Sequence, residues 1–378
     1  MLIGIDGNEA NEVRKDIGGR VGVNNYAFEI LWGLYKLQDD KKTEDKYVIY
    51  LKNAPNSDLP PETMLWKYVI IPGGRVWILT KLMPTLIKSE KLNVFFSPSH
   101  YLPFITGCPK VCTIHDLGYL KFSEQFKKYD FWQLKYWSAI SIIISKYIIC
   151  PSKSTADDIV RHYPFASNKT KVVYHGYNKA VFNQKINNNF VRHIVKKYRI
   201  TKNYILFLST LKPSKNVEGL VEAFNIIYKK FDYQLVIAGK KGWLYESIFQ
   251  KAKSLSLENH IIFTDYVTEE DKPGLIAGSK VFALPSFWEG FGMDVVNAMA
   301  CGIPVIVSNT ASFLEVAGSA GIYIDPYNPE NIAHGLEKVL SMNQKEYNKQ
   351  VRIGLEQAKK FSWSKCAQET LNVLKRAV

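Results

Sequence analysis

The sequence predicts an α/β protein with two doubly wound parallel sheets, one in each of two domains. A length of 378 residues exceeds one ordinary hydrophobic core and suits two domains of roughly 150–200 residues each. Short apolar runs alternate with amphipathic segments of helical period, and this alternation occurs twice along the chain, as in parallel sheets covered by helices. A polar, basic stretch at 178–202 lacks a strand pattern, and we place the hinge there. We therefore predict an N-terminal domain over 1–180, a C-terminal domain over 181–360, and a terminal helix over 361–378 that packs back on the first domain.

The strand candidates are short runs of β-branched, aromatic and other apolar residues bounded by polar or turn-forming residues. In the first half they are Leu2–Asp6, Tyr47–Leu51, Tyr68–Ile71, Val94–Ser97, Val111–His115, Tyr147–Cys150 and Val172–Tyr174. In the second half they are Ile205–Ser209, Gln234–Ala238, Ile261–Thr264, Val281–Leu284 and Val305–Val307, followed by a short apolar run at Gly321–Ile324.

Between the strands lie segments whose apolar residues recur with the period of a helix. The stretch from 346 to 378 has no strand candidate and is predicted as two helices broken near Phe361 and Ser362. Doubly wound sheets bind ligands at the carboxyl ends of their strands, so functional residues are expected on the loops that follow strands, facing a central cleft. The other predicted helices are Asn25–Leu37, Phe131–Ser145, Val217–Phe231, Leu244–Ala252 and Asp294–Ala300.

The composition excludes several classes of protein. Apolar residues make up 47% and charged residues 22% of the chain, which is typical of a globular protein and not of a disordered or fibrous one. The five cysteines are scattered and lack Cys-x-x-Cys spacing, so neither a disulfide framework nor a zinc site is predicted. No run of about 18 uncharged apolar residues occurs, and MLIGIDG lacks the pattern of a signal peptide, so we expect a cytoplasmic protein without a membrane span.

The formal net charge of +14 favours a negatively charged partner. Nucleic acid, anionic lipid and phosphorylated small molecules all qualify. The lysines are dispersed, without a long basic run or zinc-finger spacing, so we predict no nucleic-acid partner. A solvated basic surface accounts for many of these lysines equally well.

Two loops of the second half carry residues suited to an anionic ligand. The first, Thr210–Asn216, follows a strand, opens a helix, and contains Lys212 and Lys215. Free N–H groups at a helix start, together with lysines, form a phosphate site. The alternative interpretation is an ordinary turn with solvated lysines.

The second loop, Ser286–Met293, also joins a buried strand to a helix. Gly290 and Gly292 permit close approach of the backbone to a ligand, and Glu289 is expected to point into the same cleft. A carboxylate that favours the helix dipole is the alternative for Glu289. Asn297, further along the helix, faces either the cleft or the solvent.

The segment around this loop resembles a known family. EGFGMDVVNAMACGIPVIVSN, followed by EVAGSAGIYIDPYNPENIA, is similar to the donor-binding signature of glycosyltransferase family 4, retaining nucleotide-sugar enzymes whose GT-B fold has two Rossmann-like domains facing a central cleft. The resemblance extends from Ile3 to about Lys375. Further matching segments are RVGVNNYAFEIL at 20–31, FFSPSHYLP at 95–103, TIHDL at 113–117, PSKSTADDIVRHY at 151–163, TLKPSKN at 210–216 and LVIAGKKGW at 235–243.

The resemblance implies a role for individual residues of the second half. Glu289 matches the first glutamate of an E-x7-E pair, which hydrogen-bonds hydroxyl groups of the donor sugar. Lys215 matches the lysine that neutralises the donor diphosphate, and Thr210 and Lys212 lie in the same loop. Backbone N–H groups that approach the sugar and phosphate belong to Phe291, Gly292 and Met293.

The resemblance also implies roles in the first half, the acceptor-side domain. His115 matches a histidine that lies near the anomeric carbon, and with Glu289 it is a candidate catalytic residue. Gly22 matches a glycine that lets the backbone come close to the diphosphate. His100 and Tyr101, at the end of a predicted strand, are acceptor-side candidates.

Two positions depart from the family pattern. The second glutamate of the pair, which binds the ribose hydroxyls of the nucleotide, is replaced by Asn297. An asparagine still accepts a hydrogen bond, but losing its charge-assisted part weakens the binding free energy of the nucleotide by about 1–2 kcal/mol. An arginine that often stands beside the lysine is replaced by Ser214, and Lys212 cannot form the bidentate fork of an arginine.

The resemblance implies a retaining hexosyltransferase that moves mannose or glucose from a GDP-sugar or UDP-sugar donor to a glycan or lipid-linked acceptor in cell-surface polysaccharide synthesis. No D-x-D sequence occurs, and we expect neither a metal ion nor another cofactor. The alternative is a sugar-nucleotide-binding homologue with weakened catalysis.

Basic and aromatic residues are interleaved over Phe122–Trp137. Such a stretch suits an anionic membrane surface, which predicts peripheral attachment to the inner face of the membrane. The alternative is a helix with Trp and Phe packed inward and lysines outward.

Overall fold

The computed structural model describes residues 1–13, 20, 22–40, 43–88, 91–125 and 128–378. These residues form two compact units. The first unit contains Met1–Lys121, the chain as far as Gly176, and Ser362–Val378. The second contains Tyr177–Phe361 and the short segment that begins at Phe122.

The strands confirm the predicted pattern, since every candidate run corresponds to a strand. Two boundaries differ from the prediction in a way that matters. The strand expected at Val111–His115 ends at Thr113, so His115 lies in the following loop. The strand expected at Val172–Tyr174 ends at Val172. The strands are β1 Leu2–Asp6, β2 Lys46–Leu51, β3 Trp66–Ile70, β4 Val94–Ser97, β5 Lys110–Thr113, β6 Tyr147–Cys150, β7 Thr170–Val172, β8 Tyr204–Leu208, β9 Gln234–Ala238, β10 Ile261–Asp265, β11 Val281–Leu284, β12 Val305–Ser308 and β13 Gly321–Ile324.

Each unit contains one parallel sheet of doubly wound topology. The strand order is β3-β2-β1-β4-β5-β6-β7 in the first unit and β10-β9-β8-β11-β12-β13 in the second. The paired strands run parallel throughout both sheets. The order reverses between β1 and β4 and again between β8 and β11, and at such a switch point the loops diverge to leave a crevice.

Helices connect the strands and cover both sheets. Several short helices, among them one at 153–162, were not predicted, whereas the helix expected to end at Phe231 ends at Ile227. The helices are α1 Asn8–Asn11, α2 Val23–Asp39, α3 Met83–Lys88, α4 Gly118–Lys121, α5 Lys128–Ile144, α6 Lys153–His162, α7 Asn188–Lys197, α8 Val217–Ile227, α9 Glu246–Ser254, α10 Lys272–Ala277, α11 Met293–Ala300, α12 Phe313–Val316, α13 Pro329–Leu340, α14 Gln344–Ala358 and α15 Trp363–Ala377.

The fully described stretch at 178–202, where we place the hinge, contains no strand but does contain one helix. It contains α7, which the Asn187 side chain caps by accepting from the Asn189 N–H at 2.7 Å. Ile194 is buried and packs on α10, where a side chain at Gly274 would lie 2.7 Å from it. One narrow apolar stripe in a basic segment was too weak a signal to predict this helix.

The C-terminal helix α15 is part of the first unit. Its buried face, which includes Ala367 and Leu371, joins the core formed by β1, β4 and α2. A methyl group added at Gly33 of α2 would lie 2.5 Å from the Ala367 Cβ atom, so only glycine allows these helices to approach so closely. Trp363 stacks on His175, with ring centroids 5.7 Å apart.

Candidate active site

The candidate site of the second unit lies at the switch point of its sheet. The loops at 209–216 and 285–292 follow β8 and β11, which are neighbours. The Phe287 N–H donates to the Ser214 carbonyl oxygen at 2.9 Å, and this bond joins the two loops. The structure thus brings together the two loops that the sequence singled out separately.

An ion pair connects the loops through their side chains. The Lys215 Nζ donates to the Glu289 Oε1, and the two side chains are only 10% and 15% exposed. Lys215 ends a turn of 3-10 helix, and the left-handed residue Asn216, with φ of 52°, follows it. The Asn216 Nδ2 donates to the Pro326 carbonyl oxygen at 2.6 Å, which fixes this sharp turn. The alternative of a solvated lysine is therefore wrong for Lys215.

The backbone around Glu289 is held by a serine that the sequence did not indicate. Ser312 is fully buried, and its hydroxyl lies 3.0 Å from the Glu289 carbonyl oxygen and 3.1 Å from that of Phe291. The Ser286 hydroxyl lies 3.5 Å from the Glu289 Oε1. Ser312 stands more than twenty residues further along the chain, and nothing in its local sequence distinguishes it from other serines.

Helix α11 begins immediately after this loop. Its N-cap, Gly292, has a left-handed conformation with φ of 89°, and a side chain there would lie 3.0 Å from the ring of Phe313. The buried ring of Phe291 packs edge-on against Phe361, with centroids 5.5 Å apart. The first N–H groups of a helix, here beginning at Met293, have no acceptor within the helix and form a natural anion site.

The start of the loop at 209–216 is held by hydrogen bonds to the segment that follows β9. Leu211 accepts from the Gly242 N–H and donates to the Lys240 carbonyl oxygen, both at 2.8 Å. Thr210, on one side of Leu211, is exposed, and Lys212, on the other, is partly exposed. These two residues therefore border the site, whereas Lys215 lies inside it.

Asn297 lies in the second turn of α11 and is 9% exposed, so the solvent-facing alternative is wrong. Its Nδ2 donates to the Asp294 Oδ1 at 3.2 Å.

In the first unit, His115 lies two residues beyond β5. Its Nε2 donates to the Pro98 carbonyl oxygen at 2.9 Å, and its ring meets Tyr26 edge-on, with centroids 4.8 Å apart. Burial lowers the pKa of His115, although the Pro98 carbonyl and the Asp116 carboxylate oppose this effect. A neutral ring whose Nε2 carries the proton has Nδ1 as its acceptor.

His100 and Tyr101 follow β4, the neighbour of β5. Burial lowers the pKa of His100 to about 4, and the charge of His115 acts in the same direction. The His100 ring meets Tyr101 with centroids 4.3 Å apart, and Tyr101 meets Trp137 at 4.9 Å. The structure thus brings the predicted histidines to adjacent strand ends.

Gly22 is the N-cap of α2 and has φ of 53° and ψ of −117°. Among the described residues, a Cβ atom added at Gly22 would meet no atom within 4 Å. The neighbouring residues 14–19 and Val21 lie outside the described residues.

One titratable group near this end of the first sheet was not predicted. Glu9 follows β1, and its Oε2 accepts from the Asn24 Nδ2 at 2.8 Å. Burial, followed by the charges of Asp6 and Glu12, raises the pKa of Glu9 to about 7. Its only signal in the sequence is a carboxylate placed shortly after the first strand.

Helix α5 presents aromatic residues on its surface. Tyr129, Trp132 and Tyr136 are 72%, 46% and 60% exposed. Trp132 and Tyr136 stack with centroids 5.3 Å apart, and the Lys135 Nζ lies 4.9 Å from the Trp132 ring. Inward packing therefore does not describe Trp132, whereas Trp137 is partly buried and its Nε1 donates to the Leu102 carbonyl oxygen at 3.0 Å. Phe126 and Lys127 of the same stretch lie outside the described residues.

Two further features are absent from the described part of the chain. It contains no helix of sufficient length and hydrophobicity to span a bilayer. Nor do its His, Cys, Asp and Glu side chains form a group of three that could hold a metal ion.

Comparison with known proteins gives two family matches. Residues 191–357 match the family model described as glycosyl transferases group 1, and residues 52–181 match that of glycosyltransferase family 4. O-antigen chain mannosyltransferase B of Escherichia coli is 29% identical over 331 residues, which cover 80% of this chain and 83% of that enzyme. The crystal structure of Anabaena HepE with UDP and glucose has a TM-score of 0.73 at 16% identity, covering 99% of both chains. WaaG, a glycosyltransferase involved in lipopolysaccharide biosynthesis, has a TM-score of 0.72 at 13% identity with the same coverage.

Proposed function

Because the chain belongs to the glycosyltransferases of group 1 and family 4 and has the GT-B fold, we propose that it is an active, retaining hexosyltransferase. Its donor is a GDP-sugar or UDP-sugar carrying mannose or glucose, and its acceptor is a glycan or lipid-linked glycan. The Escherichia coli relative, an O-antigen chain mannosyltransferase, supports mannose transfer and polysaccharide synthesis. The nucleotide and sugar in the HepE structure support UDP and glucose.

The observation that carries this proposal is the ion pair of Lys215 and Glu289 at the switch point of the second sheet. A nucleotide sugar offers a diphosphate beside a ring of hydroxyl groups. A buried lysine suits the diphosphate, and a carboxylate one side chain away suits the hydroxyl groups.

The proposed mechanism places positive charge where the leaving group develops negative charge. When the bond between sugar and diphosphate breaks, Lys215, Lys212 and the N-terminus of α11 stabilise the departing phosphate. Backbone N–H groups of Phe291, Gly292 and Met293 take part in the same role. The phosphate then removes the proton of the acceptor hydroxyl on the face that it has just left, so the new bond has the original anomeric configuration.

His115 and Glu289 are proposed to act on the sugar itself. Since the Nε2 proton of His115 is donated to the Pro98 carbonyl, its Nδ1 accepts a hydrogen bond from a sugar hydroxyl. Glu289 accepts from other hydroxyl groups of the ring. Asn297 accepts from the ribose, and Gly22, Thr210, His100 and Tyr101 complete the donor and acceptor contacts.

We propose that the reaction needs no metal ion, because lysine and helix N–H groups supply the charge that a metal would otherwise supply. We further propose that the protein works in the cytoplasm, peripherally on the inner face of the membrane, with the exposed aromatic and basic face of α5 against anionic lipid. A nucleic-acid partner is not proposed.

The test is a thermal-shift panel of GDP, UDP, ADP and TDP and their common sugar conjugates, with and without EDTA. A ligand present at 100 times its dissociation constant adds about 2.7 kcal/mol of stability. We expect one nucleotide to stand out, to be insensitive to EDTA, and to lose its effect in Lys215→Ala. A panel in which no nucleotide stabilises the protein contradicts the proposal.

A transfer assay separates the proposal from the weakened homologue that Asn297 and Ser214 suggest. The donor selected by the panel is incubated with lipid-linked glycan acceptors, and both transfer and donor hydrolysis are measured. Nucleotide binding without either activity favours the weakened homologue.

A further inference from the structure

A group of three charged side chains lies beside Asn297. Lys272 begins α10, Glu269 precedes it, and Asp294 lies in the first turn of α11. The Lys272 Nζ lies 2.5 Å from the Glu269 Oε1, and the Lys272 side chain is only 15% exposed. Burial lowers the pKa of Lys272, but the carboxylates of Asp294 and Glu269 outweigh this effect and raise it above its usual value. Lys272 therefore pairs with Glu269, and its positive charge also acts on Asp294.

Asp294 also fixes the side chain of Asn297. The Asn297 Nδ2 donates to the Asp294 Oδ1 at 3.2 Å. An asparagine amide has an NH₂ group that only donates and an oxygen that only accepts, whereas an ionised carboxylate only accepts. The carboxylate of Asp294 therefore selects one of the two orientations of the amide, the one whose oxygen is available to another donor.

We propose that Asp294 is a positioning residue that presents the Asn297 carbonyl oxygen to the ribose hydroxyl groups of the nucleotide. This inference rests on the proposed function, because it assumes that a nucleotide binds at α11. In this chain the carboxylate has moved one helical turn from the ligand, and a neutral acceptor is in contact with it.

The arrangement has a consequence for the residue at 297. Asp294 and Asn297 are three residues apart on one helix face, where like charges repel. Asn297→Glu would add a third carboxylate beside a single lysine. We therefore expect N297E to weaken ribonucleotide binding and the double variant D294N/N297E to restore it.

The experiment measures, by calorimetry, the affinity for the nucleoside diphosphate selected by the thermal-shift panel and for its 2′,3′-dideoxy counterpart. For D294N we expect about fivefold weaker binding of the ribonucleotide, the size of one hydrogen bond, and unchanged binding of the dideoxynucleotide. Lys272→Met should act in the same direction, since Asp294 then loses a nearby positive charge. Glu356→Ala, on the exposed face of α14, is the matched control and should change neither affinity.

The outcomes separate this inference from the function on which it rests. If the unmodified protein binds no nucleotide, both are wrong. If it binds both nucleotides and D294N changes the two affinities equally or not at all, the positioning role alone is wrong. Should D294N fail to fold, N297E still decides, because stronger ribonucleotide binding in N297E contradicts the proposed pairing.

Discussion

The Phe287 N–H donates to the carbonyl oxygen of Ser214 at 2.9 Å. This bond joins loops that follow neighbouring strands, and those loops also carry Lys215 and Glu289. The two loops of the proposed donor site are therefore tied to each other by the backbone as well as by side chains. Single substitutions at these loops should consequently change donor affinity and catalysis more than they change the overall fold.

Lys215→Met tests the cation at the centre of this site. We expect kcat/KM for the donor to fall by about 10²–10³-fold, because a charge next to the departing phosphate is lost in a buried place. Steady-state kinetics with the donor chosen by thermal shift measures the effect. Lys359→Met is the control, since Lys359 forms a surface pair in which both side chains are 65% exposed. Equal kinetics in the two variants would remove Lys215 from the proposed mechanism.

Ser312→Ala tests the support of the Glu289 loop. The carbonyl oxygens of Glu289 and Phe291 would lose a fully buried donor, so we expect a loss of about 1–3 kcal/mol in the free energy of unfolding. The donor KM should rise as well, because the loop is no longer fixed. Urea denaturation and kinetics measure the two effects.

The matched control for Ser312 is Ser279→Ala. Ser279 is also buried, and its hydroxyl donates to the Ile276 carbonyl oxygen at 2.8 Å, shortly before β11 begins and so at the opposite end of that strand. This variant should lose similar stability with an unchanged donor KM. A rise in KM for both variants would show that Ser312 acts only through global stability.

The strands of both sheets could be predicted from the sequence, because strands buried on both faces appear as continuous apolar runs, whereas several helices, such as α6, α7 and α13, were not predicted. Lys215 and Glu289 could also be found, since each stands in a short loop between a strand and a helix. The sequence did not indicate the roles of four other residues: Ser312, Glu9, Lys272 and Asp294. Each of these acquires its role from a partner distant in sequence or from burial, and neither is visible in a local pattern.

Glu9→Gln tests a pH dependence within the first unit. The pKa of Glu9 rises from 4.5 to about 7 on folding, so the folded state binds a proton more tightly than the unfolded state. The resulting stability is present below pH 4.5 and is lost as the pH rises through 7. Each pKa unit corresponds to about 1.4 kcal/mol, so the free energy of unfolding falls by about 3 kcal/mol over this pH range.

We therefore expect E9Q to exceed the unmodified protein in stability at pH 8 by up to about 3 kcal/mol and to differ little from it at pH 4.5. Urea denaturation across this range measures the difference. Glu44→Gln, at an exposed position of the same unit, should show no such trend. A constant difference between E9Q and the unmodified protein would mean that Glu9 is charged in the folded state.

The double substitution Trp132→Ala and Tyr136→Ala tests the exposed face of α5. The two rings stack on each other at the surface, so their removal should leave the melting temperature almost unchanged. If this face rests on a membrane, sedimentation with phosphatidylglycerol vesicles should weaken by about tenfold, since two interfacial aromatic side chains are lost. Phe165→Ala is the matched control, because Phe165 is 54% exposed in the same unit but lies outside α5.

Neutral phosphatidylcholine vesicles and added salt should reduce binding of the unmodified protein, as expected for lysines near an anionic surface. Equal vesicle binding by all three proteins would show that α5 is not the membrane-facing surface.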